Sequence, residues 1–231
     1  MHTDLDSNLT MLDSTVKVKT LVKQCKEFGF PAFALTGHDS LSSVVQGWQQ
    51  AKEHGLKYIA GLEAYFCDDI KIKDSENRYS HLLLLAKNNT GLENLQILST
   101  KAWLEGFYYK PRIDWSLLEQ HNEGLIVADA CLGGVIKKKF IAYFEALELG
   151  NKDIANKISL DIDATIRRFI EIVGQDNFYF ELQPNGFPEQ EKINKILVKS
   201  SYYYGVEIIA TTDVHYLRPE DKKTHSTRFT P

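Results

Sequence analysis

The chain has 231 residues, of which 43% are apolar and 25% charged, with a formal net charge of −4. That length suits one large α/β domain of about 200–250 residues, and the apolar share excludes a disordered chain. The acidic balance excludes a protein that grips long nucleic acid with its whole surface, so any such contact is confined to a site or mediated by metal.

A short strand is expected at the very N-terminus. Residues 15–29 then place Val18, Leu21, Val22, Cys25 and Phe28 at three- and four-residue spacings. That is one apolar helix stripe, and Gly29 is a natural stop. Residues 33–36 read as a short buried strand, 41–54 as a helix ending at Gly55, and 58–66 as a second strand region. The polar stretch 68–80 reads as a loop inside the domain, followed by a strand over 81–86 and a helix over 91–103. A strand over 124–128, helices over 136–149 and 152–173, and a strand over 178–182 come next. A helix over 188–204 stops at Gly205, and a strand over 207–211 closes the series. Strand-then-helix repetition predicts parallel strands covered by helices, through right-handed crossovers. No Gly-, Ser- or Pro-rich linker interrupts it, so residues 1–231 are expected to form one domain. Cys25, Cys67 and Cys131 are odd in number and widely spaced, which argues against a disulfide framework and for a reducing cytoplasm. No signal peptide is read, and no apolar run reaches the roughly 20 residues of a membrane span.

Metal-type side chains recur at the predicted strand ends. Asp4 and Asp6 lie in the first strand region, and His38 and Asp39 follow the second. Glu63 interrupts an apolar strand, His81 opens a leucine strand, Cys131 follows Val127, and Asp213 and His215 follow Ala210. Strand ends on one face of a barrel converge in space, and carboxylate, imidazole and thiolate are the usual ligands of divalent metals. Taken singly, each has an ordinary role as well. Glu63 reads equally as a satisfied buried acid, His81 as a capping or core histidine, and Cys131 as a small apolar filler. Asp213 and His215 read also as turn formers before Pro219, and Asp4 and Asp6 as solvent-facing acids.

Five blocks carry a family resemblance: PAFALTGHDSL at 31–41, AGLEAYF at 60–66, HLLLLAKNNTGLENLQILSTKAWLEGFYYKPRIDWSLL at 81–118, EGLIVADACLGG at 123–134 and IATTDVHYLRPED at 209–221. In order and spacing they resemble PHP (polymerase and histidinol phosphatase) domains, specifically those of bacterial DNA polymerase III alpha subunits. LEGFYYKPRIDW is the most specific block, and it disfavours a small-molecule phosphatase of the histidinol-phosphate type. The resemblance implies a distorted (β/α)7 barrel with up to three metals at the strand C-terminal ends. It implies ligand roles for His38, Glu63, His81, Cys131, Asp213 and His215, with His2 as an additional histidine upstream. Pro231 falls about where the polymerase proper is expected to begin.

The sequence departs from the family pattern in its first ligands. The family's His-x-His falls on Asp4 and Asp6, and its Thr-Asp-His reads Thr36-Gly37-His38, with Asp39 as a partial substitute. One implied subsite then holds Asp4, Asp6, Glu63 and Asp213, an oxygen set suited to Mn²⁺ or Mg²⁺. A second holds Glu63, His81 and Cys131, a mixed set suited to Zn²⁺. A third, with His38 and His215 but no aspartate, is expected to be weak. The implied activity is metal-assisted hydrolysis of a phosphodiester, a 3′–5′ exonuclease acting on single-stranded DNA or a primer 3′ end, with Glu63, His38 and His215 as catalytic groups. Lys110 and Arg112 are expected either to contact phosphates or to lie as surface charge facing a polymerase. The alternative is a catalytically degenerate platform that stabilises the rest of a polymerase alpha subunit or binds a proofreading subunit.

Overall fold

The computed structural model describes residues 2–3, 14–38, 40–75 and 77–223. The chain runs β1 (His2–Thr3), α1 (Val18–Glu27), β2 (Ala32–Leu35), α2 (Val44–His54), β3 (Lys57–Phe66), β4 (Ser80–Ala86) and α3 (Asn89–Leu104). It continues through β5 (Arg112–Ile113), α4 (Trp115–Gln120), β6 (Leu125–Ala128), α5 (Val135–Glu148), α6 (Lys152–Val173), β7 (Phe178–Leu182), α7 (Pro188–Tyr204) and β8 (Glu207–Ala210). Local chemistry sets several boundaries. Asn88 and Asp114 accept from the backbone N–H of Gly91 and Leu117 at 2.9 Å each, capping α3 and α4. Gly55 and Gly205 end α2 and α7 at φ 69° and 66°, a left-handed conformation that glycine adopts without a Cβ clash. Helix α1 starts three residues later than its periodicity suggests. Thr15 N–H donates to the carbonyl of His215 at 3.0 Å, which holds the lead-in segment extended.

The main sheet has the order β1-β2-β3-β4-β6-β7-β8, with β5 paired beside β3. It is mixed rather than all-parallel: β4 is antiparallel to both β3 and β6, and the other pairs are parallel. The expectation of parallel strands throughout fails here because the described residues between 67 and 79 contain no helix. A parallel return needs a crossover of a dozen or more residues, normally helical, whereas an antiparallel return needs only a loop.

Alternation along β3 separates two environments. Leu62, Ala64 and Phe66 join Leu82, Leu84, Val127, Phe178 and Phe180 in the large core beneath α3 to α7. On the opposite face a small cluster of Leu83, Ala128 and Ala130, with Leu85, Tyr179 and Ile209 against it, lines the concave side. Glu63 and Tyr65 share that concave side by the two-residue period of a strand. The sheet curls into a half-barrel. Its two edges are drawn together where Ser14 Oγ and Thr15 N–H donate to the His215 carbonyl at 2.9 and 3.0 Å.

Candidate metal centre

Glu63 is 2% exposed although it is a carboxylate in an apolar strand, so it needs charged or hydrogen-bonding partners. The pairing of neighbouring strands supplies them. Beyond β2 the chain continues as Gly37 and His38, and the His38–Glu63 bridge is parallel, with Glu63 N–H donating to the Gly37 carbonyl at 3.3 Å. On the other side, Glu63 lies opposite Leu83 and Tyr65 opposite His81, which sets His81 diagonally across from Glu63 on the same face. His81 Nδ1 stands 2.9 Å from Glu63 Oε1. One ligand atom from each of His38, Glu63 and His81 falls within 4.8 Å of the others.

Cys131 lies beside the group. Its Sγ lies 3.4 Å from His81 Nδ1 and 3.8 Å from Glu63 Oε1. The loop after β6 is folded back on His81 through His81 N–H donating to the Gly133 carbonyl at 2.8 Å. A Cβ at Gly134 would meet the Asp129 carbonyl oxygen at 1.9 Å, so only glycine permits this turn. Burial, with the Glu63 and Asp213 carboxylates adding to it, pushes the Cys131 thiol above its ordinary range. Asp213 itself sits at φ 46°, a conformation that aspartate tolerates better than most residues. His215 Nδ1 faces the Asp213 carbonyl at 2.8 Å. A proton on that nitrogen leaves Nε2 as the unprotonated nitrogen of a neutral ring. Among the described residues, Asp213 and His215 fall outside the His38–Glu63–His81 group. Asp4, Asp6 and Asp39 lie outside the described residues, as does the side chain of His2.

The donor set fits a divalent cation. Zinc takes nitrogen and oxygen ligands at about 2.0–2.2 Å and sulfur at about 2.3 Å, so ligand atoms around one ion lie about 3–4 Å apart. The Glu63–His81, His81–Cys131 and Glu63–Cys131 separations fall in or near that span.

Tyr65 and Tyr79 flank the imidazoles, which residue-by-residue reading of the sequence did not single out. The Tyr65 ring is parallel to His38 with centroids 5.4 Å apart and meets His81 edge-on at 5.4 Å. Tyr79 is parallel to His81 at 6.2 Å. Tyr65 was findable: it lies two residues beyond Glu63 and therefore on the same strand face. A second omission is buried at the base of the concave face. Lys137 and Asp129 are fully buried with Nζ and Oδ2 3.6 Å apart, and Lys137 also donates to the carbonyl of Ala130. Glu181 accepts from Gln183 at 3.1 Å and from Thr211.

Lys110 sits over the Tyr65 ring at 5.0 Å, near the centre. Arg112 does not face a substrate. It is 0% exposed, and its guanidinium donates to the carbonyls of Ile70, Ile72, Asn77, Arg78 and Gly106. The expectation of a phosphate-binding or surface Arg112 is corrected: five donors in a fixed fork suit it to organising the loop between β3 and β4.

The PHP domain family model matches residues 2–185, a span that includes His38, Glu63, His81 and Cys131 and ends before Asp213. DNA polymerase III subunit alpha of Aquifex aeolicus is 40% identical over 98% of this chain and 19% of its own length. The corresponding subunits of Treponema pallidum and Thermus aquaticus are 35% and 36% identical over 96% and 97% of the chain. The chain thus spans under a fifth of the relatives it matches, 18–19% of their lengths. Two solved structures share the fold. One is an amidohydrolase from Chromobacterium violaceum, with TM-score 0.53 and 10% identity, covering 98% of this chain and 95% of that one. The other, assigned as a metal-dependent phosphoesterase from Bifidobacterium adolescentis, has TM-score 0.52 and 12% identity, covering 95% and 93%. The chain belongs to the PHP domain family and is homologous to the corresponding segment of DNA polymerase III alpha subunits.

Proposed function

We propose that this chain is a metal-dependent phosphodiesterase module, a 3′–5′ exonuclease acting on single-stranded DNA or a primer 3′ end, within a cytoplasmic replicative polymerase of the DNA polymerase III alpha type. The observation that carries the reading is the convergence of His38, Glu63 and His81 ligand atoms within 4.8 Å, with the Cys131 sulfur beside them. Residues 1–231 act as one domain in this reading.

A divalent cation bound here supplies Lewis-acid polarisation of the phosphate and an activated water at neutral pH. Glu63, His81 and Cys131 would hold Zn²⁺ through mixed O, N and S donors. Asp4, Asp6, Glu63 and Asp213 would hold Mn²⁺ or Mg²⁺ through oxygen. A third position at His38 and His215 would be weaker, for want of an aspartate at Gly37. Glu63 is common to two of these sets, and its burial keeps its charge unscreened. Tyr65 packs against both imidazoles and limits their rotation. A cation held by His38 and His215 would stabilise the non-bridging phosphate oxygens as charge develops on them. No protein nucleophile is needed.

The test is hydrolysis of a single-stranded oligodeoxynucleotide by the chain in Mn²⁺, with Glu63→Ala as the comparison. Loss of even a supporting partner of a metal ligand costs about 10–100-fold, so loss of Glu63 itself is expected to cost at least about 100-fold while the domain stays folded. A wild-type chain inert toward DNA, RNA and simple phosphodiesters in Mn²⁺, Mg²⁺ and Zn²⁺ would overturn the enzymatic reading.

A second reading is a platform for the remainder of a polymerase alpha subunit or a proofreading subunit. It is favoured by the cluster at the end of α3, where Trp103 stacks on Phe107 at 5.7 Å while Leu104 and Tyr109 are 79% and 74% exposed. Such a patch suits protein contact, and the two roles are compatible in one domain.

A further inference from the structure

A cavity of about 370 Å³ opens beside the metal centre, between the β3–β4 loop and the N-terminal half of α5. Its lining includes Arg78, Tyr79, Lys138, Lys139 and Asp68. Tyr79 is the shared wall. One face of its ring lies parallel to His81, and its edge meets Tyr65 at 4.6 Å, while the residue also borders the cavity. Lys138 is tied to the same wall. Its ammonium donates to the Tyr79 carbonyl at 2.7 Å and lies 5.7 Å from the Tyr79 ring centroid.

We propose that this cavity is a phosphate subsite for the nucleotide adjacent to the one cleaved, in a single-stranded nucleic acid whose scissile phosphodiester lies at His38, Glu63 and His81. The inference rests on the phosphodiesterase reading above and extends it to how the strand is held. Three cations stand against one carboxylate among the described lining residues, in a chain whose net charge is −4, so the positive wall is a local exception. Lys139 is partly neutralised by its ion pair with Asp161. Arg78 and Lys138 are therefore the principal phosphate partners. An ammonium has three donors, and Lys138 spends one on Tyr79. An arginine fork matches two phosphate oxygens at once. Asp68 is engaged by the Trp115 indole N–H at 3.3 Å. The backbone that carries Arg78 is gripped by Arg112 through the carbonyls of Asn77 and Arg78, so the subsite is held in place before a ligand arrives. Tyr79 adds an aromatic face of the kind on which bases stack.

The subsite can be tested apart from catalysis. A fluorescent oligothymidylate is titrated with the full chain in EDTA at several salt concentrations, followed by anisotropy. The comparison is the double variant Arg78→Gln/Lys138→Gln, with its fold checked by thermal melting. Two lost phosphate contacts are expected to weaken binding about tenfold and to flatten the plot of log K against log salt by about 1.4. Asp68→Asn, which removes the carboxylate from the lining, is expected to tighten binding. An affinity and salt slope unaltered in the double variant, or no measurable binding by wild type, overturns the subsite. Wild-type binding that depends on Arg78 and Lys138 without any phosphodiester hydrolysis supports the subsite and defeats the enzymatic reading. Hydrolysis with unaltered binding in the double variant does the reverse.

Discussion

Lys137 is a charged side chain with no exposure, in a run of three lysines where its neighbours at 138 and 139 reach the surface or a surface ion pair. It bridges Asp129 and the carbonyl of Ala130, and Ala130 sits at φ 58°, an uncommon conformation for a residue with a Cβ. The next residue is Cys131. Lys137 thus fixes the strained step that delivers the thiol to His81 and Glu63. Breaking one side of a buried ion pair costs about 3–5 kcal/mol, because the other charge is left without a partner. Lys137→Met is accordingly expected to lower stability by about 3 kcal/mol in urea denaturation and to speed reaction of Cys131 with a thiol reagent. Adding Asp129→Asn should recover part of the stability. No recovery would mean that Lys137 acts through packing alone. The sequence carries no mark that distinguishes Lys137 from Lys138 or Lys139. Which lysine turns inward depends on the 129–134 turn. Glu63 was legible because a carboxylate in an unbroken apolar strand stands out against its neighbours.

At the scale of elements, the longest helices were readable from periodicity. α6 buries Ile162, Thr165, Ile166, Phe169 and Val173 at three- and four-residue spacings, and its bounds match the expectation over 152–173. The strand directions around β4 were not readable in that way. They follow from the missing helix between β3 and β4, and the polar loop in its place is organised by Arg112. That arginine comes from a motif that sequence reading assigned to phosphate contact or surface charge. A side chain whose partners are backbone carbonyls about 35–40 residues away leaves no local pattern. Leaving several buried carbonyls without donors costs about 1–3 kcal/mol each. Arg112→Met is expected to destabilise the domain by about 3 kcal/mol or more, measured as a lowered melting temperature. Arg112→Lys should restore little, since a point ammonium cannot span the same acceptors. Full stability in Arg112→Lys would show that charge, rather than fork geometry, holds the loop.

Across the whole molecule, the site is assembled from the segment after β2, the middle of β3, the start of β4 and the turn after β6, so that Glu63 and Cys131 meet from 68 positions apart. The family blocks pointed to these residues in advance, and the structure brings His38, Glu63 and His81 together with the Cys131 sulfur beside Glu63 and His81. Asp213 and His215 fall outside that group among the described residues, and the His215 carbonyl takes part in the contacts that join the two sheet edges. In the proposed function Asp4 and Asp6 would add oxygen donors, and both lie outside the described residues. What the half-barrel does provide is one concave face on which an imidazole, a carboxylate and a thiol from distant segments face one another. X-ray absorption at the zinc edge of the zinc-loaded chain tests that most directly. The account predicts a first shell with one sulfur at about 2.3 Å and nitrogen or oxygen at about 2.0–2.1 Å, the sulfur vanishing in Cys131→Ser. Zinc lost on gel filtration, or a shell of oxygen alone that Cys131→Ser leaves unaltered, would contradict it.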